Sequence, residues 1–292
     1  MRFDTGKELL EACAAGGCSA GAAMLRREQA LSGEKAGALR GRMARAWEVM
    51  KDAVRQAQDR PLRSMGGLIG GECRRMDARR AAVRPLCGTM VSKAAGYAMG
   101  VLEVNASMGL IVAAPTAGSS GVLPGVLLAL QEEFGYSDDA VVDALFCAGA
   151  VGYLISRNAT VAGAEGGCQA EVGAASAMAA SAAAQLAGGS PAQCLGAASV
   201  ALCNILGLVC DPIGGLVESP CQMRNAMGAA NALTSAEMAL AGCGAPVPFD
   251  EAVAAMYAVG KALPAALRET ALGGIAAQPS ARAACAGCGA CG

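Results

Sequence analysis

Alternating apolar and polar residues at strand spacing are almost missing from this chain; residues 109–114 are the one stretch that reads as a short strand. Helical spacing dominates instead. Helices are expected over 6–15, 19–31, 34–59, 88–107, 122–134, 138–158, 169–187, 191–209, 222–242 and 249–262. Residues 60–87 are mixed and hold the glycine cluster Gly66-Gly67-Leu68-Ile69-Gly70-Gly71, and 108–121 reads as a Gly/Pro/Ser loop. The expectation is an all-α fold, a single helical domain of about ten helices with Gly-rich loops over residues 1–275. A flexible, cysteine-containing tail is expected over 276–292.

Composition agrees with that reading. Hydrophobic residues make up 54% but aromatics only 3%, so the core must be built from Ala, Leu, Val and Met. Alanine is the best helix former, and small side chains let helices approach closely. A formal net charge of −1 leaves no basic footprint for nucleic acid. The most apolar stretches, 196–217 and 171–187, contain Asn204, Asp211, Pro212 and Glu171, so no membrane span is expected. The start, Met1 to Lys7, carries charge at Asp4 and Lys7 and no signal-peptide apolar region, so a cytoplasmic protein is expected.

The chain has 14 cysteines and no histidine. A cytoplasmic chain with that many cysteines suggests free thiols or metal ligation rather than a disulfide framework. Without histidine, Ser-His-Asp triads and His-containing zinc sites are excluded within it. Three cysteines sit at expected helix ends: Cys168 in Gly166-Gly167-Cys168-Gln169, Cys210 in Val209-Cys210-Asp211-Pro212, and Cys221 in Ser219-Pro220-Cys221-Gln222. Helix N-termini favour thiolate and an anionic group, and neighbouring Gly and Pro let the backbone approach a bulky cofactor. Three thiolates could hold three irons of a [4Fe-4S] cluster and leave the fourth open. The alternative is that they are buried small hydrophobes. Cys147, Cys194 and Cys203, inside apolar helices, read that way.

The segments Gly163–Gly173, Gly207–Val217 and Pro220–Gly228 resemble the alpha subunit of bacterial iron–sulfur L-serine dehydratases. So do Glu103-Val104-Asn105-Ala106, Ala114–Gly121 and Arg268-Glu269-Thr270, and the resemblance runs from about residue 5 to about 275. It implies a helical catalytic module that removes water from L-serine to give pyruvate and ammonia, a step of serine catabolism. It also implies a [4Fe-4S] cluster on Cys168, Cys210 and Cys221, whose open iron acts as Lewis acid on the hydroxyl. A beta subunit is implied as partner, in a heterodimer or higher oligomer. The ending departs from the family pattern: Cys285, Cys288 and Cys291 lie close together, and any of them is a candidate fourth ligand.

The loop Pro115–Gly121, leading into a helix at 122, can present backbone N–H groups to a carboxylate. It fits neither a phosphate-binding nor a dinucleotide fingerprint, and an ordinary capping turn is the alternative. With the resemblance, substrate contacts fall on Thr116, Gly118 and Ser119, and on Asn105 and Arg224; Arg224 could instead neutralise the cluster or form a helix-end salt bridge. Candidate catalytic groups are Lys93 and Glu103, with Glu165, Glu218 or a base from the beta partner as alternatives. Three rival readings remain. Lys93 followed by Gly118-Ser119-Ser120-Gly121 mimics a pyridoxal-phosphate site but lacks the strands such enzymes need. A related elimination on L-cysteine or L-threonine differs by little in a pocket. A non-catalytic iron–sulfur or redox-sensing protein would suit the tail cysteines.

Overall fold

Ala174–Leu186 (α9) is buried on every side from Ala174 to Ala184, as a helix without a polar face must be. The computed structural model describes residues 2–286. The other helices are α1 (Gly6–Gly16), α2 (Ala20–Ser32), α3 (Ala36–Asp59), α4 (Glu72–Ala82), α5 (Gly88–Ala106), α6 (Val122–Phe134), α7 (Asp138–Asn158), α8 (Gly163–Gly166), α10 (Pro191–Cys203), α11 (Cys221–Leu240), α12 (Phe249–Ala262) and α13 (Pro279–Ala286). α6, α7, α10 and α11 pack directly on α9, while α5 is sandwiched between α6 and α11. Small residues make these approaches close: a Cβ on Gly228 of α11 would lie 2.7 Å from Val172, and one on Gly152 of α7 would lie 2.9 Å from Met178. The all-α expectation holds, and among the described residues the one strand-like pairing is an isolated bridge between Cys210 and Arg268.

Helix starts follow the local chemistry. Thr5, Ser19, Ser137 and Ser190 cap α1, α2, α7 and α10 with their hydroxyls, and Ser190 and Gln193 complete a reciprocal capping box. α7 is long and apolar enough to cross a membrane by length and composition, but it is packed against α2, α3 and α9 as a core helix.

Three elements differ from the sequence reading. Residues 109–114 form no strand, because no neighbouring strand exists to pair with them; Ile111 and Val112 pack on the helical core instead. The mixed stretch 60–87 contains α4, whose many arginines hid its helical face. The expected helix over 191–209 stops at Cys203, where Asn204 turns to Asn231 and Gly207 takes a left-handed φ of 86°. Cys210 therefore lies on an extended segment, not at a helix end. In the C-terminal segment, α13 packs against the turn Ile213–Gly215; Cys288 and Cys291 lie outside the described residues.

Candidate active site

Three separate chain segments bring Cys168, Cys210 and Cys221 together, each almost fully buried at 3%, 3% and 9% exposure. Cys168 precedes a wide π-turn, Gln169–Gly173, a distortion common at functional sites. Its successor Gln169 clamps the turn from both sides, donating to Met256 O of α12 at 2.9 Å and accepting from Gly207 N at 2.9 Å. Gly167 makes the approach possible, since a Cβ there would meet Leu208 O at 2.8 Å. Cys210 is held by its backbone: its N–H donates to Leu267 O at 2.9 Å, and its carbonyl accepts from Glu269 N at 2.7 Å. The Arg268–Thr270 motif is thus the rail along which Cys210 lies.

Cys221 is the first residue of α11. Just before it, the buried carboxylate of Glu218 accepts from Ser64 Oγ (2.6 Å), Gly66 N (2.6 Å) and Leu68 N (2.9 Å). The glycine cluster at 66–71 folds around this carboxylate. Just after it, Asn225 donates to Cys221 O (2.9 Å) and Gly118 O (2.8 Å) and accepts from Gly121 N (3.0 Å), tying α11 to the loop 115–121.

The thiols feel one another. Burial, then the neighbouring thiol Cys168 and the carboxylate Glu171, push Cys221 up to about 12; burial raises Cys168 to about 11 and lifts Cys210 further. Arg224 opposes this rise at Cys168. Its own Nη1 donates to Val209 O at 2.8 Å and its Nη2 pairs with Asp211 Oδ1 at 2.7 Å. Burial disfavours the guanidinium charge, but Cys168 and Asp211 outweigh burial and keep it on.

The loop carrying Thr116, Gly118 and Ser119 meets this group through Glu171. Thr116 Oγ1 donates to Glu171 Oε1 at 2.8 Å and lies 3.0 Å from Ser119 Oγ, while Glu171 Oε2 is 3.9 Å from Cys210 Sγ. Burial raises the Glu171 carboxyl above its ordinary value. Gly118 and Gly163 leave room for it: a Cβ on either would press on the carboxylate, at 3.3 and 2.7 Å. Beside the loop lies a cleft of about 240 Å³ lined by Met65, Asn105, Ala117, Leu216, Val217 and Glu218. That is smaller than the roughly 300–1,000 Å³ of pockets for drug-sized ligands. Asn105 Nδ2 donates to Ala117 O at 3.3 Å across it.

Not every candidate is gathered here. Lys93 Nζ pairs with Glu132 (3.0 Å) and Glu133 (3.8 Å), at the end of α6 remote from Gly121, about 17 Å away by helix rise. Glu103 is wholly buried and accepts from Gly71 N and Cys73 N, both at 2.9 Å, at the start of α4. Glu165 is exposed on α8. Cys147 and Cys194 are buried, and Cys203 half-buried. Sequence reasoning passed over Glu171, Asp211 and Asn225 as site residues. The available signal was an acid or amide within four positions of each cysteine.

Among the described residues no three His, Cys, Asp or Glu side chains converge tightly enough to share a single metal ion. Three separated thiols, each on its own segment, fit a polynuclear cluster that takes one thiolate per iron corner. The donor set is all sulfur, which suits iron–sulfur chemistry, and glycines clear the space around it.

Over its described residues the molecule is thus an all-helical protein with three buried thiols at segment junctions, beside a small cleft that holds one amide and one carboxylate. It belongs to the serine dehydratase alpha chain family, whose family model matches residues 15–276. It is 48% identical over 234 residues to the probable L-serine dehydratase alpha chain of Bacillus subtilis (strain 168), covering 80% of this chain and 78% of that one. It is 55% identical over 178 residues to the probable alpha chain of Latilactobacillus sakei, covering 61% of this chain and 85% of that one. Against the L-serine dehydratase of Streptomyces coelicolor (strain ATCC BAA-471 / A3(2) / M145), 41% identity extends over 94% of this chain but 60% of that protein.

Proposed function

We propose that this chain is the catalytic component of an L-serine dehydratase, with residues 1–275 as its catalytic domain and a [4Fe-4S] cluster on Cys168, Cys210 and Cys221. The observation that carries the reading is the gathering of these three buried thiols around the Glu171 carboxylate, which Thr116 holds. When bound, a cluster with one iron free of protein sulfur supplies a Lewis acid for the departing hydroxyl. The chain's own residues do the rest. Thr116, Gly118 and Ser119 orient the substrate carboxylate, and Asn105 bounds the cleft from the α5 side. Arg224, pinned by Asp211 and Val209 O, counters the negative charge gathered at Cys168 instead of reaching for substrate. Leu216 and Val217 form the apolar wall that limits water. Loss of the α-proton and the β-hydroxyl, together one water, leaves 2-aminoacrylate, which tautomerises and is hydrolysed to pyruvate and ammonia.

Lys93 and Glu103 are the candidate catalytic groups of the sequence; each is already engaged by partners in the fold, so a base facing the cleft from a beta partner fits better. The relatives named as alpha chains support such a partner. A tail thiol is proposed as fourth ligand in the absence of substrate; Cys285, on α13, is the described one. The location proposed is the cytoplasm.

The test is anaerobic reconstitution with iron, sulfide and the beta chain, followed by a pyruvate assay on L-serine, L-threonine and L-cysteine. Turnover of L-serine well above the other two is expected. A fully loaded cluster with no lyase activity would favour the redox-sensing alternative and defeat the proposal.

A further inference from the structure

A second group of cysteines lies at the opposite end of α10 from the trio. Cys13 on α1 neighbours Cys18 and Cys194, and Cys194 in turn neighbours Cys147. The four run from the surface into the core: Cys18 is half-buried, while Cys13, Cys194 and Cys147 are buried. The two innermost are committed, Cys147 Sγ to Ser181 O at 3.7 Å and Cys194 Sγ to Gly189 O at 3.8 Å. The two outermost face each other.

The end of α1 forces the outer pair together. Gly17 takes the left-handed conformation with φ 54°, its N–H donates to Ala14 O, and the N–H of Cys18 donates back to Cys13 O at 3.1 Å. This pair of hydrogen bonds brings the residue after the glycine over the residue five positions earlier, where two side chains normally make a hydrophobic contact. Here both side chains are thiols. Their thiols lie within hydrogen-bond reach of each other, so a disulfide can close with little movement of the backbone. Both also line one surface cavity of about 330 Å³, with Leu10, Ala14, Ser190, Pro191 and Ala192. A reagent can therefore reach Cys18 from solvent, with Cys13 beneath it.

We propose that Cys13 and Cys18 form a redox-active dithiol site, oxidised to an internal disulfide by a low-molecular-weight disulfide such as oxidised glutathione. Cys18, the more exposed, attacks first as thiolate: its sulfur bonds to one sulfur of the reagent and the other leaves as a thiolate. Cys13 then loses its proton to solvent and attacks the Cys18 sulfur, and the second reagent thiolate leaves. Two protein thiols lose two protons and two electrons, and one reagent disulfide becomes two thiols. Burial holds the Cys13 thiol up to about 11, so it is inert toward free reagent and acts only as the resolving group beside it. The site stands apart from the iron trio and does not depend on the lyase reading.

Peptide mapping tests it on the cluster-loaded protein treated anaerobically with oxidised glutathione, then unfolded in alkylating reagent and digested without reduction. Trypsin releases residues 8–26 as one peptide holding both cysteines. The expected product is that peptide lighter by two hydrogens, unalkylated and free of glutathione. In Cys13→Ser the same peptide should carry glutathione on Cys18. In Cys18→Ser, Cys13 should stay unmodified until the protein unfolds. Stable glutathione on Cys18 of the native chain would overturn the proposal. So would two free thiols in that peptide once the exposed Cys87 and Cys243 have reacted.

Discussion

Thr116 Oγ1 donates to Glu171 Oε1 at 2.8 Å, and through this bond the loop after α5 is fastened to the segment that carries Cys168. The donor sits on a turn between two helices and the acceptor in a π-turn 55 residues later. Replacing Thr116 by Val keeps the shape and removes the bond. The expected result is a loss of about 10–100-fold in kcat/KM for L-serine, the usual effect of removing a group that orients a metal-site neighbour. Iron content should be unchanged, and Thr116→Ser should recover most of the loss. Wild-type kinetics in the Val variant would count against a role for this bond.

Cys168→Ser, Cys210→Ser and Cys221→Ser should each lower bound iron and sulfide sharply and abolish turnover together with it. A serine hydroxyl stays protonated where a thiolate is required. Cys203→Ser, at the end of α10, is the matched control and should keep full iron. If any variant of the trio retained a complete cluster, the ligand assignment would be wrong.

Arg224→Met should destabilise the fold by about 3 kcal/mol, near the low end for breaking a buried ion pair. Asp211 is 2% exposed and would keep only the Ile275 N–H at 2.7 Å as compensation. Arg224→Lys should cost less, about 1–2 kcal/mol, because a lysine keeps the charge but cannot reach Asp211 and Val209 O at once. Urea denaturation of both variants under anaerobic conditions measures the difference.

Asp138 reports on the scaffold. Hydrogen bonds from Gln131 and Trp47, and then Lys51, lower its carboxyl from 3.8 to about 2. A lowered folded value adds stability that is complete above 3.8 and is lost as pH falls towards 2. The side chain is 55% exposed, so the contribution is at most about 1 kcal/mol. Asp138→Asn should flatten acid unfolding in that window. Trp47 is the single tryptophan and donates to Asp138 Oδ1 at 2.8 Å, so its fluorescence follows the transition directly. An unchanged acid midpoint in the Asn variant would refute this.

Local signals in the chain determined the helices and their caps, because capping and helical spacing are decided by residues within one or two turns. Ser190 with Gln193 and Ser137 before Asp138 are legible in this way. Glycine and proline near Cys168, Cys210 and Cys221, which set them apart from Cys147 and Cys194, are likewise visible without a structure, while their role as cluster ligands is the proposal made above. Contacts across the fold were not legible. Lys93 reads as a candidate base until α6 brings Glu132 and Glu133 to it. Glu103 reads the same way until the start of α4 takes both its oxygens. Glu171 becomes a site residue only when Thr116 and Cys210 arrive from either side. The physical reason is range. Helix propensity and capping act over a few residues, whereas the partner of a buried charge is set by which helices pack together, and sequence spacing carries no record of that.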